Sequence, residues 1–170
     1  MTDVLIYWRD YQQNWVRQFA GERAYYWHSN AKLVGEVHPG DRVWFVTSGK
    51  NLRQEAEQAG FLVAIWQVQE VKENPGDDPA YPQNDYHYRI IANEAESLSL
   101  DEPVLVDHIL RPEGRDKAES IGRFLQGPRK LKDQTVRLLR SAAGPKMALK
   151  WLTGCNHKEH EEHKEHNRAK

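Results

Sequence analysis

Tryptophan is the residue type whose placement in this sequence suggests chemistry. Trp8, Trp27, Trp44 and Trp66 each fall within or at the end of a different predicted strand. Because the strands of one sheet bring such positions together, we expect several of these rings to converge. Converging aromatic faces can stack a planar base, at about 1–3 kcal/mol per stacked base, or hold a methylated cation. The alternative is that the same rings fill the core.

The tetrapeptide Trp27-His28-Ser29-Asn30 places an aromatic surface beside hydrogen-bonding side chains. Reading the edge of a base requires that combination. Alternatively, Ser29 or Asn30 caps a turn or a helix that begins at Ala31. The sequence leaves both interpretations open.

Charge is distributed unevenly along the chain. Residues 1–110 carry 9 Lys and Arg against 17 Asp and Glu, a net charge of −8, whereas residues 111–150 carry 11 against 4, a net charge of +7. Such a basic block can bind phosphates and release their counterions, or it can dock on the acidic half of the same protein. The predicted phosphate-binding residues are Arg129, Lys130, Lys132, Arg137 and Arg140.

Catalytic and metal-binding motifs have little support in this sequence. It has no G-x-S-x-G, no glycine-rich phosphate loop and no HExxH, so we predict no catalytic residue and no cofactor. Histidines recur every three residues near the C-terminal end, a spacing that gives adventitious affinity for Zn²⁺ or Ni²⁺; we predict no physiological metal site. These residues are His157, His160, His163 and His166. The single cysteine, Cys155, cannot form an internal disulfide.

Six short strands are predicted within the first 110 residues, and such a density favours a closed or nearly closed sheet, because closure removes exposed edges. They are Val4–Trp8, Ala24–Ser29, Arg42–Thr47, Phe61–Val71, Tyr86–Ala92 and Val104–Leu110. A short helix is predicted after Asp10, and three more follow at Ala118–Leu125, Leu131–Ala142 and Pro145–Leu152, with Gly127–Pro128 and Gly144–Pro145 as breaks. The fold class is therefore mixed α+β.

The length of 170 residues, with 39% hydrophobic and 29% charged residues, fits one domain. We assign it to residues 1–153, of which 116–153 form a basic helical subdomain, and we read 154–170 as a charged, His-rich tail. No apolar run approaches the ~20 residues that a membrane span needs. The first residues lack the features of a signal peptide, so the expected location is cytoplasmic.

The succession of these motifs resembles the PUA-like superfamily, specifically its EVE and YTH branches. The resemblance rests on a strand and short helix, then YYWHSN, then GDRVWFVTSG, then FLVAIWQVQEV, and covers about residues 3–110. It implies a β-barrel of about six mostly antiparallel strands that holds a flipped or single-stranded modified base between aromatic rings.

The same resemblance implies the site residues. Trp27 would form a wall of the cage and Ser29 would contact the base edge, with Asp10 and Asn14 as polar groups on the first helix. Asn30 departs from the family pattern, and we predict from the tetrapeptide itself that it also reads the base edge. Trp44, Ser48 and Trp66 are additional base-binding candidates. The expected partner is DNA or RNA. The EVE resemblance implies a defence or modification-sensing role in which another protein supplies cleavage.

Two other functions remain open. Some ASCH proteins, which are also PUA-like, hydrolyse small acylated nucleosides with a Lys/Thr/Glu set, for which Lys32, Thr47 and Glu70 can be nominated. The other alternative is a protein-interaction module in which the basic block contacts an acidic partner.

Overall fold

The computed structural model describes residues 1–11 and 25–154, and for residues 145–154 it describes the backbone alone. Within this part of the chain the architecture is mixed α+β, with seven strands and short helices. The strands are β1 (Asp3–Tyr7), β2 (Tyr26–Ser29), β3 (Arg42–Ser48), β4 (Gly60–Glu73), β5 (Tyr88–Ala92), β6 (Leu98–Leu105) and β7 (Arg129–Lys130).

The strands pair in the order β2-β5-β4-β3-β1-β7, and β6 pairs with β4 outside this path. Every pairing is antiparallel except β1 with β3, which is parallel. β4 is long enough, at 14 residues, to pair with β3 and β6 along its first half and with β5 along its second. The path has two ends, β2 and β7, so the described strands do not close into the barrel predicted from the sequence.

Successive side chains of a strand point to opposite faces of the sheet. Along the central strands this alternation separates two hydrophobic clusters. In β3, Val43 and Phe45 belong to one cluster while Trp44 and Val46 belong to the other. We call the cluster with Phe45 the aromatic cluster and the one with Trp44 the helix-side cluster. The helix-side cluster also contains three residues of the long C-terminal helix, Val136, Leu139 and Ala143.

In the described part of the chain, helices other than this C-terminal one occupy few residues. Four are single turns, α1 (Lys32–Gly35), α2 (Gly49–Leu52), α3 (Asp107–Leu110) and α4 (Ile121–Phe124), and α5 spans Asp133–Gly154. A 3₁₀ turn at Glu94–Glu96 leads into β6. No helix in the described ranges is long and apolar enough to cross a membrane.

The predicted break at Gly144–Pro145 is wrong, because α5 runs through it as one helix of 22 residues. Proline removes one backbone hydrogen bond, but its φ is compatible with a helix. Gly144 before it has no Cβ to clash with the proline ring, so the usual restriction on the preceding residue is relaxed.

The predicted strand Val104–Leu110 is wrong in its second half. β6 ends at Leu105, and Asp107–Leu110 form the helical turn α3. Val106 and Leu110 are both buried in the helix-side cluster, so the apolar pattern is satisfied by a turn as well as by a strand. The helix predicted after Asp10 lies mostly outside the described residues.

Candidate functional site

Aromatic rings from four strands meet on one face of the sheet. The ring centroids of Trp8, Phe45 and Trp66 lie 4.6–5.7 Å apart, and all three side chains are buried. The strand register explains the convergence, since Val43 pairs with Trp66 and β1 runs beside β3. The rings of the aromatic cluster are Trp8, Tyr11, Tyr25, Trp27, Phe45, Trp66 and Tyr88.

The rim of this cluster is formed by rings that are less enclosed. Trp27 is half-buried, and its ring lies 5.9 Å from Phe45. Tyr25, also half-buried, lies 5.9 Å from Trp66. The described ring pairs of the cluster are tilted or edge-to-face, with interplanar angles from 53° to 87°. Trp27 and Tyr25 are rings of this cluster that keep partial exposure.

Two buried indole groups in the aromatic cluster have no hydrogen-bond acceptor among the described residues. They are the Nε1–H groups of Trp8 and Trp66. Buried polar groups in native proteins are nearly always paired, and an unpaired donor loses its hydration without compensation. Trp44 shows the normal outcome, because its Nε1 donates to Asp3 Oδ1 at 2.7 Å.

A polar network fixes the strand ends next to Trp8. Thr47, fully buried, donates from Oγ1 to the Trp8 carbonyl at 2.7 Å. Asn51 Nδ2 donates in turn to Thr47 Oγ1 at 2.9 Å and to the Tyr7 hydroxyl at 3.4 Å. This network holds Trp8 in place beyond the last residue of β1.

The structure brings two of the predicted base-binding residues together, since Trp27 and Trp66 both belong to the aromatic cluster. Trp44 does not join them, because it lies on the opposite face, is fully buried and donates to Asp3. Ser48 is buried where β3 pairs with Gly60. Asp10 is exposed near the end of β1.

Ser29 and Asn30 hold the fold locally. Ser29 Oγ accepts from the Ala31 amide at 3.0 Å and so caps a local turn, whereas α1 begins at Lys32 without a side-chain cap. Asn30 donates to the Asp85 carbonyl and accepts from the His87 amide at 2.7 Å, so it fastens the loop before β5. Asn14 lies outside the described residues.

The helical part of the basic block lies across the sheet from the aromatic cluster. The exposed side chains of Arg137 and Arg140 project from α5, which packs on the helix-side cluster across the sheet; Lys132, just before α5, is also exposed. Arg129 and Lys130 form the edge strand β7 beside β1. Lys130 Nζ lies 3.2 Å from Glu36 Oε2, and burial lowers the pKa of the Arg129 guanidinium.

A second polar cluster is a structural clamp. Arg89 donates from Nε to His28 Nε2 at 2.9 Å and forms an ion pair with Asp77, while the ring of Tyr81 stacks on His28 at 4.3 Å. Asn74, fully buried, donates to the carbonyls of Tyr81 and Tyr86. These contacts fasten the loop between β4 and β5 onto β2, next to Trp27.

The nominated hydrolase residues do not form one constellation. Thr47 pairs with Phe61 near the start of β4, whereas Glu70 lies nine residues further along that strand and is exposed. Lys32 is exposed on α1. No group of three or more His, Cys, Asp or Glu within the described ranges could hold a metal ion. The tail histidines lie outside those ranges.

Sequence reasoning counted Trp8 among the converging rings but not among the base-binding residues, and it left Phe45 and Asn51 out of the site. Trp44 was chosen over Phe45 because of its residue type, although the two point to opposite faces. Strand alternation alone places Trp44 and Phe45 on opposite faces, but which of them faces Trp66 depends on the register, in which Val43 pairs with Trp66. Nothing in the sequence identifies Asn51, because its role depends on how α2 folds back on β3.

Comparison with known proteins shows a similarity of fold to a solved structure. The solved structure of Rpa0253 from Rhodopseudomonas palustris is similar to this chain, with a TM-score of 0.51 and 16% sequence identity over 85% of this chain and 94% of that one. No family model matches the sequence. No curated protein matches it either.

Proposed function

We propose that this protein is a nucleic-acid binding module that recognises a base, either modified or unmodified, at its aromatic cluster. The observation that carries the proposal is the pair of buried indole donors, on Trp8 and Trp66, that find no acceptor among the described residues and belong to the same cluster as the half-buried ring of Trp27. We also propose that the architecture is PUA-like and related to EVE domains, as the sequence motifs suggest.

The proposed recognition combines stacking of the base on an aromatic ring with a hydrogen bond to the edge of the base. The half-buried ring of Trp27 would stack a base at about 1–3 kcal/mol, and every base has a face that can stack. An acceptor on the base then restores a hydrogen bond that the buried indole groups lack. For a base in a duplex, flipping costs a few kcal/mol, which these contacts must offset.

The basic residues of 129–140 add sequence-independent affinity for the phosphates of a longer oligonucleotide. Because α5 packs on the opposite face, we assign them to nucleotides beyond the recognised one. Cleavage or signalling would come from a partner protein. Because the bound ligand is nucleic acid, we expect this protein to act in the cytoplasm.

The first test is a titration of fluorescent single- and double-stranded oligonucleotides, with unmodified and methylated bases, at two salt concentrations. Micromolar or tighter binding is expected, and Trp27→Ala should weaken it about tenfold or more, because one stacking contact is lost. Circular dichroism and thermal unfolding check that the variant is folded.

Phe124→Ala is the matched control, since Phe124 is a half-buried ring that packs on the helix-side cluster. This variant should bind oligonucleotides like the wild-type protein. Absence of binding at low salt would overturn the proposal and favour the protein-interaction module. Equal losses in both variants would assign the effect to general destabilisation.

A further inference from the structure

A groove of about 670 Å³ lies on the described surface between two segments of the chain. Residues 55–59 form one wall, and residues from the range 105–117 form the other. Arg111 crosses between the walls, because it donates to the Gln58 carbonyl at 3.2 Å and pairs with Asp107 on its own wall. The shape of the groove is therefore fixed by a buried ion pair.

Exposed glutamates give this surface its charge. Glu55 and Glu57 line the groove, and neither takes part in the ion pairs of the described residues. The Arg111 guanidinium does not compensate them, because Asp107 and three backbone carbonyls engage all five of its N–H groups. Lys117 is a lining residue of opposite charge, but the two carboxylates outweigh it. We call this surface the acidic groove.

The complementary surface is on α5. Leu138 is 48% exposed there, and Leu105 in the acidic groove is 49% exposed; apart from Met1, these are the exposed large apolar side chains of the described residues. Arg137 precedes Leu138, and Arg140 lies one turn further on, where residues three apart are neighbours on the helix surface. Both arginines are exposed, and the ion pairs of the described residues include neither. One molecule therefore carries two surfaces of opposite charge, each with an exposed leucine.

We propose that the acidic groove of one molecule binds α5 of a second copy of this chain. Leu138 of the second copy packs on Leu105, and its two arginines face the two glutamates of the groove. The groove and α5 share one side of the sheet, since α3 lines the groove and its Leu110 joins Leu139 of α5 in the helix-side cluster. A twofold axis can therefore place each helix in the groove of the other molecule, and this arrangement closes as a dimer.

Dimerisation and phosphate binding use the same two arginines of α5. A guanidinium that pairs with a carboxylate of the second copy is not available to a phosphate, so the two contacts exclude each other. The dimer is therefore the form of the protein without nucleic acid, and its formation does not depend on the proposed function.

Analytical ultracentrifugation of the full chain over a range of concentrations measures the dimer, which high salt should weaken because the contact is partly electrostatic. The variants Glu55→Lys/Glu57→Lys and Arg137→Glu/Arg140→Glu each place like charges across both symmetric contacts. Each variant alone should dimerise at least about tenfold more weakly than the wild type. An equimolar mixture of the two should form a heterodimer, since both of its contacts then join opposite charges. Circular dichroism checks that each variant is folded.

Glu70→Lys/Glu73→Lys is the matched control, because it changes the net charge equally at exposed glutamates outside the groove, and it should dimerise like the wild type. Leu138→Gln should weaken the dimer about tenfold or more, since an apolar contact is lost at both symmetric sites.

A chain that stays monomeric at every concentration would overturn this inference. So would a dimer that neither charge variant weakens, or two monomeric variants whose mixture does not associate. Each of these results leaves nucleic-acid binding in place. Conversely, failure to bind any oligonucleotide overturns the proposed function and leaves the dimer in place.

Discussion

His28 is a buried side chain whose surroundings give the fold a definite pH dependence. Burial, together with the Arg89 guanidinium, lowers the pKa of His28 from 6.5 to about 4, against the opposing effect of Asp78 and Asp77. Between these values the unfolded chain binds a proton that the folded chain does not. The free energy of unfolding should therefore fall as the pH drops from about 6.5 to 4, by up to about 3 kcal/mol.

His28→Gln tests this dependence, because glutamine can accept from Arg89 and does not titrate. Urea unfolding between pH 7 and 4 should give a flatter stability curve than the wild type. His108→Gln, at an exposed histidine, should leave the curve unchanged. If His28→Gln shows the wild-type slope, the acid sensitivity belongs to the carboxylates instead.

At the scale of elements, the turn α3 is fastened by one buried ion pair. Arg111 donates to both carboxylate oxygens of Asp107, at 2.7 and 2.8 Å, and Asp107 also accepts from the Gly60 amide. Arg111 donates further to the backbone carbonyls of residues 58, 116 and 119, so one guanidinium joins three segments of the chain. Its hydrogen bond to Asp107 raises the pKa of Arg111 further, so the charge persists at every working pH.

Arg111→Met should destabilise the protein by about 3–5 kcal/mol, because the Asp107 carboxylate is left buried without its partner. The urea midpoint measures the loss. Arg123→Met is the control, since Arg123 is largely exposed and lies 3.7 Å from Glu119, and it should change stability by less than about 1 kcal/mol. A similar small change at Arg111 would mean that the clamp does not hold these segments together.

The Asp107–Arg111 ion pair is also a feature that the sequence did not predict. The strands β1, β2, β3, β4 and β5 were predictable because their apolar and aromatic residues are confined to short runs between turn signals. Asp107 and Arg111 were not paired, because an extended chain separates residues four apart by about 13 Å. In the helical turn that forms instead, residues four apart share a face and can meet. The choice between strand and turn depends on contacts with α5, which local sequence does not encode.

At the scale of the whole molecule, the sheet separates the aromatic cluster from the basic helix. The sequence places both features in one chain, but their relative position depends on which face each element covers. α5 covers the helix-side cluster through Val136, Leu139 and Ala143. Base recognition and phosphate attraction should therefore be separable by substitution.

The double variant Arg137→Glu/Arg140→Glu tests this separation. Oligonucleotide affinity should fall and its dependence on log salt should become shallower by about 1.4, since two phosphate contacts to a single strand are lost. Affinity for a free nucleoside should be unchanged, and stability should change little because both side chains are exposed. Arg53→Glu/Lys72→Glu alters the net charge equally at exposed sites outside the block and should keep the wild-type slope. Equal losses in the two double variants would indicate attraction by total charge alone, whereas a loss of nucleoside affinity in the Arg137/Arg140 variant would show that the helix and the aromatic cluster act as one site.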